Sequence, residues 1–171
     1  MSALDVSIRP VDPVADLDVI HAWVTADRAV FWGMREHTRA EVAAVYAHLA
    51  ASPTHHAFLV LEEGRGAVAL LQTYEPAHDP VGEAYPVRPG DLGVHLLVAP
   101  GPRRPGFTGR LAAALFEHLF ADPHVRRLVV EPDELNAPSI ARVVREGGEL
   151  GPVVDLGHKR AQLAFFARPA S

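Results

Sequence analysis

The spacing of apolar positions changes from extended to helical within the first 50 residues. Residues 5–10 alternate and stop at a proline, which predicts a short strand. Residues 12–24 then carry apolar side chains at helical spacing, with Asp12 as the expected N-cap. Thr38 and Glu41 have the spacing of a capping box, so a second helix is predicted to begin near Thr38.

From residue 57 onwards the pattern becomes extended. Two apolar runs around a glycine-containing turn predict an antiparallel hairpin over residues 57–74. The run 92–98 is apolar on both faces, which is typical of a central strand. The segments that follow are predicted as a helix at 111–120, a strand at 125–131, a helix at 138–146 and a strand at 161–166. This order predicts a mixed α/β sheet in a single domain over residues 1–171.

Composition and charge narrow the class of protein. The chain has no cysteine, which excludes disulfides, thiolate metal sites and a cysteine nucleophile. Its net charge of -5 argues against a nucleic-acid partner, and nowhere do eighteen apolar residues stand together as in a membrane span. The first residues do not have the pattern of a signal peptide. We therefore expect a cytoplasmic enzyme, monomeric or homodimeric, with no nucleic-acid or membrane partner.

One histidine stands out in the apolar strand 92–98. His95 lies there directly before a loop of basic and glycine residues. Backbone N–H groups at the start of a helix bind phosphate, and glycine lets the backbone approach it closely. The pattern indicates a catalytic side chain on a strand whose exit loop holds a phosphate-bearing cofactor. A buried structural histidine is the alternative.

Residues 98–109, Val-Ala-Pro-Gly-Pro-Arg-Arg-Pro-Gly-Phe-Thr-Gly, resemble the acyl-CoA-binding segment of the GNAT acyltransferases, V-x-P-x-x-[RQ]-x-x-G-x-[GA]. Arg103 and Gly106 match this pattern, and Thr108 occupies the second small-residue position. The resemblance implies acyl-CoA, acetyl-CoA or succinyl-CoA, as co-substrate. It also implies a GNAT-like fold with a mixed, mostly antiparallel sheet and about four helices. The implied contacts of acyl-CoA are Leu96, Val98, Arg103, Arg104, Gly106, Phe107, Thr108, Gly109, Asn136 and Ser139.

A second pair of motifs is similar to one branch of that family, the siderophore-biosynthesis acyltransferases that acylate N-hydroxylated amines. The chain has G-D-x-G-x-H at residues 90–95 and E-P-D-x-x-N at residues 131–136, in the order this branch has them. The resemblance is closest to the aerobactin-, mycobactin- and desferrioxamine-type enzymes, and it implies hydroxamate formation. Matching aromatic and K-x-A-x-L segments imply substrate contacts from Trp32, Tyr74, Tyr85 and Lys159.

Two positions depart from the family pattern. Val143 stands where many GNAT enzymes have a tyrosine that protonates the departing thiolate, so a tyrosine acid is not expected. Gly148 replaces a phenylalanine near the last hairpin of the family fold.

The chemistry of acyl transfer assigns roles to two residues. The attacking nitrogen must lose a proton, and histidine titrates near neutrality. We therefore expect His95 to accept this proton and Asp133 to orient the imidazole or bind the substrate hydroxyl; a helix cap is the alternative for Asp133.

Other assignments remain open from sequence alone. Trp32 could equally pack in the core, and Lys159 could be solvated. Neither His55-His56 nor His78 has metal-ligand spacing, so no metal is expected. The alternative functions are an ordinary amine N-acetyltransferase, acting on a small molecule or a protein terminus, and a non-catalytic CoA-binding module.

Overall fold

The computed structural model of the protein describes residues 2–170. Over these residues it has seven strands, β1 (Val6–Pro10), β2 (His55–Glu62), β3 (Gly66–Tyr74), β4 (Asp91–Val98), β5 (Arg127–Val130), β6 (Glu149–Asp155) and β7 (Arg160–Ala167). The four α-helices are α1 (Leu17–Val24), α2 (Arg39–Ala51), α3 (Phe107–Phe120) and α4 (Ala137–Arg145). The predicted mixed α/β class is confirmed.

The strands are hydrogen-bonded in the order β1-β2-β3-β4-β5-β7-β6. The pairs β1–β2, β5–β7 and β6–β7 are antiparallel, and β4–β5 is parallel. The chain divides into two compact units. The first unit comprises residues 5–73 and 96–103, and the second comprises residues 2–4, 74–95 and 104–170.

In the first unit, helices α1 and α2 contribute to an apolar core with strands β2 and β3. Ile20, Val42, Tyr46 and Leu70 are among its fully buried side chains. Trp32 ends a 3-10 helix at Asp27–Trp32 and packs against this core. Trp32 therefore contributes to core packing, and a contact between Trp32 and substrate stays a prediction.

The two helix starts differ in how well the sequence predicts them. Helix α2 begins after Thr38 with the predicted capping box, in which Thr38 Oγ1 accepts from the Glu41 N–H at 3.2 Å and Glu41 Oε2 accepts from the Thr38 N–H at 2.7 Å. Helix α1 begins at Leu17, five residues later than its predicted cap. The Asp12 carboxylate instead accepts the N–H groups of Val14 and Ala15 at 2.9 Å, which stabilises a separate turn.

The second unit is built on strand β4 as far as His95, together with β5, β7 and β6. Tyr74, Tyr85, Val129 and Leu163 form a buried cluster there. Strand β6 was missing from the sequence prediction. It pairs with β7 at the edge of the sheet, contains Pro152 and has a register shift between Leu150 and Val153. Proline and irregular pairing are tolerated at sheet edges, and they also remove the alternating pattern that marks a strand.

Within residues 2–170, the helices are all too short or too polar to cross a lipid bilayer.

Candidate active site

The centre of the site is a contact between His95 on β4 and Glu131 at the end of β5. Gly93 lies opposite Val129 in the parallel ladder, so the residues two positions further along each strand face each other on the same side. The Nε2 atom of His95 hydrogen-bonds to Oε1 of Glu131. Only 4% of the Glu131 side chain is exposed, against 36% for His95. The pair therefore joins a buried carboxylate to an imidazole that solvent can reach.

Two further side chains bind the same carboxylate. The Tyr74 hydroxyl donates to Glu131 Oε1 at 2.9 Å, and the tyrosine ring centroid lies 5.1 Å from that of the His95 ring. Lys159 Nζ lies 2.6 Å from Glu131 Oε2 and donates to the Glu131 main-chain carbonyl at 2.7 Å. Gly93 makes room for this arrangement, because a Cβ at position 93 would lie 2.1 Å from the Tyr74 ring.

These contacts set the charge of the site. Burial alone would raise the pKa of Glu131, but the hydrogen bond and charge of His95, together with Lys159, outweigh it and lower the pKa to about 2. Burial and the neighbouring Glu131 raise the pKa of Tyr74 well above its usual range. Glu131 is therefore an anion at neutral pH, and Tyr74 is a protonated hydrogen-bond donor.

The orienting contact predicted for Asp133 is made by Glu131 instead. Asp133 Oδ1 accepts the N–H of Leu135 at 2.9 Å, and Asp133 forms an isolated bridge to Ala161. The cap of α4 is Asn136, whose side chain accepts the Ser139 N–H at 3.3 Å. The Asp133 carboxylate thus stabilises the turn that leads to α4.

Glu131 is the first residue of the E-P-D-x-x-N motif, but no catalytic role was predicted for it from the sequence. Its signal was a carboxylate placed directly after the apolar residues Val129 and Val130, at the end of a buried strand. Burying a carboxylate is costly unless cations or donors compensate it, so such a residue marks a site that needs partners. The partners themselves come from β3, β4 and the turn before β7.

Three of the predicted substrate contacts have partners within the protein. Tyr74 and Tyr85 are buried, and the Tyr85 hydroxyl donates to Asp91 Oδ2 at 2.8 Å. The ammonium of Lys159 pairs with the Glu131 carboxylate, and only 19% of the lysine side chain is exposed. These three side chains make contacts within the protein that support the site, and direct contact with substrate stays a prediction for them.

The start of helix α3 has the features of an anion-binding site. Its N-cap, Gly106, has a φ of 76° and offers no side chain to cap the first turn. A cleft of about 540 Å³ opens there between α3 and α4. It is lined by Arg104, Gly106, Phe107, Thr108, Gly109, Ala113, Arg142, Arg145 and Glu146. Three arginines and one glutamate give this cleft a positive balance that fits phosphate groups.

Three further residues expected to bind acyl-CoA, Leu96, Val98 and Arg103, belong to the first unit. Arg103 donates to the carbonyl of Ala99 at 3.1 Å, and Arg28 donates to the carbonyl of Val98 at 2.6 Å. Burial and the charge of Arg28 lower the pKa of Arg103. Leu96 is partly exposed on its strand.

Among the described residues, no group of three or more histidine, aspartate or glutamate side chains is arranged to hold a metal ion.

Comparison with known proteins defines the class to which this fold and site belong. A family model described as an acetyltransferase (GNAT) domain matches residues 12–156. The chain therefore belongs to the GNAT acetyltransferase family. A solved structure of aminoglycoside acetyltransferase AAC(6')-Ib in complex with coenzyme A is similar to it, with 25% identity and a TM-score of 0.81, covering 96% of this chain and 95% of the other.

Two curated relatives are similar in sequence. Lysine N-acyltransferase MbtK of Mycobacterium sp. (strain MCS) is 28% identical over 144 residues, which is 76% of this chain and 54% of the relative. N(6)-hydroxylysine O-acetyltransferase of Escherichia coli is 26% identical over 167 residues, which is 95% of this chain and 52% of the relative. The chain spans about half the length of these relatives.

Proposed function

We propose that the protein is an acyl-CoA-dependent N-acyltransferase that converts an N-hydroxylated amine to a hydroxamate in siderophore biosynthesis. N-hydroxylysine, N-hydroxyornithine and N-hydroxylated diamines are the proposed acceptors. The observation that carries this proposal is the solvent-accessible His95 held by the buried Glu131 anion. The two curated relatives, named for lysine and hydroxylysine acylation, support the choice of acceptor.

The reaction needs one proton moved from nitrogen to sulfur. With Nε2 bonded to Glu131, the imidazole carries its hydrogen there and presents the lone pair of Nδ1 to the attacking nitrogen. A bond forms between that nitrogen and the acyl carbon while His95 takes the proton, and the carbon–sulfur bond breaks. The fixed negative charge of Glu131 stabilises the imidazolium that results. The CoA thiolate that leaves then takes up a proton from the imidazolium, which restores neutral His95. Asp133, two residues beyond Glu131, is the proposed contact for the substrate hydroxyl.

The cleft at the start of α3 is the proposed site for the phosphate groups of acyl-CoA. The N–H groups of Thr108 and Gly109 in the first helical turn and the guanidinium of Arg104 would bind the pyrophosphate. In the same turn, Thr108 has a small side chain and Gly109 has none. Leu96, Val98, Arg103, Asn136 and Ser139 remain proposed acyl-CoA contacts on the basis of the family motif.

The release of free thiol from acetyl-CoA and succinyl-CoA tests this proposal. Matched acceptor pairs isolate the hydroxyl group: lysine against N6-hydroxylysine, ornithine against N5-hydroxyornithine, and cadaverine against N-hydroxycadaverine. We expect release with the hydroxylated member of at least one pair and little with its parent amine. A hydroxamate product, detected by its coloured iron(III) complex, would confirm the bond formed.

A second candidate is the acetylation of ordinary amines, favoured by the structural similarity to an aminoglycoside acetyltransferase. Release with parent amines, kanamycin or spermidine, and none with hydroxylamines, would establish that activity and reject hydroxamate formation. Saturable binding of acyl-CoA without release for any acceptor would indicate a non-catalytic CoA-binding module.

A further inference from the structure

Lys159 holds Glu131 at two points. Its ammonium group lies 2.6 Å from the carboxylate oxygen Oε2 and donates to the main-chain carbonyl of the same residue at 2.7 Å. Only 19% of the lysine side chain is exposed. The lysine lies in the turn between β6 and β7, which is closed by a hydrogen bond from the Leu156 N–H to the Lys159 carbonyl at 2.9 Å. The turn therefore fixes the main chain of Lys159, and the contacts with Glu131 fix its ammonium.

The two carboxylate oxygens have different partners. Oε1 accepts from the Tyr74 hydroxyl and contacts His95, whereas Oε2 faces the ammonium of Lys159. The hydrogen bonds at Oε1 and the ion pair at Oε2 both oppose rotation of the carboxylate away from the imidazole. The charged or titratable groups that act on Glu131 are thus Tyr74, His95 and Lys159, and Asp79 and Tyr85 act in turn on Tyr74.

We propose that Lys159 is a positioning residue, which holds the Glu131 carboxylate against His95 and limits how strongly that carboxylate draws a proton onto the imidazole. The inference deepens the proposed function and rests on it for its catalytic meaning. Lys159 supplies a positive charge that already neutralises part of Glu131. Removing that charge leaves the imidazole as the cation that can compensate the buried anion, whereas removing the charge of Glu131 has the opposite effect.

Removing the charge of Lys159 and removing the charge of Glu131 should shift the protonation of His95 in opposite directions. The proposal can therefore be tested without substrate. The His95 ring is followed by proton NMR from pH 4 to pH 9, its C2–H resonance being assigned by its absence in His95→Ala. We expect Lys159→Met to move the midpoint pH of the His95 chemical-shift titration upwards by on the order of one unit. Glu131→Gln should move this midpoint downwards. Lys159→Arg, which keeps the charge, should restore most of the wild-type behaviour.

Arg160→Met is the matched control, because Arg160 is the next residue and its exposed guanidinium pairs with Glu134 at 3.0 Å instead. We expect this control to titrate like the wild type. Thermal unfolding shows which variants fold, and Lys159→Gln provides a second neutral replacement. An unchanged His95 titration in a folded neutral variant would overturn the proposal.

Kinetics then separate positioning from substrate binding. A positioning role predicts that the acid limb of the pH profile of kcat/KM shifts to higher pH in Lys159→Met, while KM for acyl-CoA stays the same. A rise confined to KM for carboxylate-bearing acceptors, with no change in the NMR titration, would identify Lys159 as a substrate contact and reject the proposal. Absence of turnover in the wild type would contradict the proposed function and leave the NMR result to decide the role of Lys159.

Discussion

At the scale of single residues, the reactivity proposed for this protein depends on a buried carboxylate surrounded by groups that stabilise its negative charge. A carboxylate out of water is stable as an anion only when donors and cations replace its hydration. Glu131 has all of these, since a tyrosine hydroxyl, an ammonium and an imidazole surround it. Of these partners His95 is the most exposed, and it is therefore the group that can exchange a proton with a ligand.

Replacing His95 with alanine should lower turnover by about 10² to 10⁴, the usual contribution of a general base. The dissociation constant for acyl-CoA should stay nearly unchanged, because the imidazole does not line the arginine-rich cleft. Steady-state kinetics and isothermal titration calorimetry measure the two quantities. His118→Ala, an exposed histidine in the last turn of α3, is the control and should match the wild type. Equal losses of turnover and affinity in His95→Ala would contradict the assignment.

The sequence indicated His95 but not its partner, for a physical reason. A histidine inside an apolar strand is visible as an exception to the hydrophobic pattern. Glu131 and Asp133 are two carboxylates separated by one proline, and only the register of β4 against β5 decides which one faces the imidazole. Lys159 comes from a turn 28 residues further along the chain. Such contacts depend on the three-dimensional arrangement of strands, which local spacing does not encode.

At the scale of elements, a buried ion pair joins the first residues of the parallel strands β4 and β5. Asp91 lies opposite Arg127, and the two make paired hydrogen bonds of 2.8 Å. The Asp91 side chain is 1% exposed. The guanidinium also lies 4.3 Å from the centroid of the Phe165 ring on β7. The aspartate of the G-D-x-G-x-H motif therefore fixes the strand pair that carries His95 and Glu131.

Asp91→Asn should lower the free energy of unfolding by about 2–4 kcal/mol, because it leaves the Arg127 charge without its carboxylate. Urea denaturation monitored by circular dichroism measures this change. Asp18→Asn is the matched control, since Asp18 pairs with Arg39 at 2.8 Å on an exposed surface, where such pairs contribute about 0–1 kcal/mol. Equal effects of the two substitutions would show that the buried pair has no special role.

The elements differ in how far the sequence predicts them. Strand β4 was recognisable because both of its faces are apolar, and α2 because its capping box is a local signal. Strand β6 was missed because its edge position relaxes the requirement for apolar side chains and admits Pro152. Helix α1 was predicted to begin too early because Asp12 caps a turn as readily as it caps a helix.

At the scale of the whole molecule, the buried acidic side chains couple folding to pH. Asp16 and Glu131 are buried acidic residues, and the side chain of Asp91 is 1% exposed. Asp16 is bonded to Arg9 at 2.7 Å, and this hydrogen bond lowers the pKa of Asp16. Asp91 has a lowered pKa as well, because its bonds to Arg127 outweigh the effect of burial. Asp16, Asp91 and Glu131 therefore bind their protons less readily in the folded chain than in the unfolded chain.

Glu131 should make the largest single contribution to acid sensitivity. Its pKa falls from 4.5, the ordinary value, to about 2 on folding, so the ionised carboxylate stabilises the folded state above pH 4.5. As the pH falls from 4.5 towards 2, the unfolded chain takes up this proton first and the stabilisation disappears. The loss amounts to at most about 3 kcal/mol. Urea unfolding of the wild type and Glu131→Gln between pH 7 and pH 2 measures it. The difference in unfolding free energy should shrink as the pH falls from 4.5 towards 2, whereas a difference that is the same at both pH values would contradict an ionised, paired Glu131.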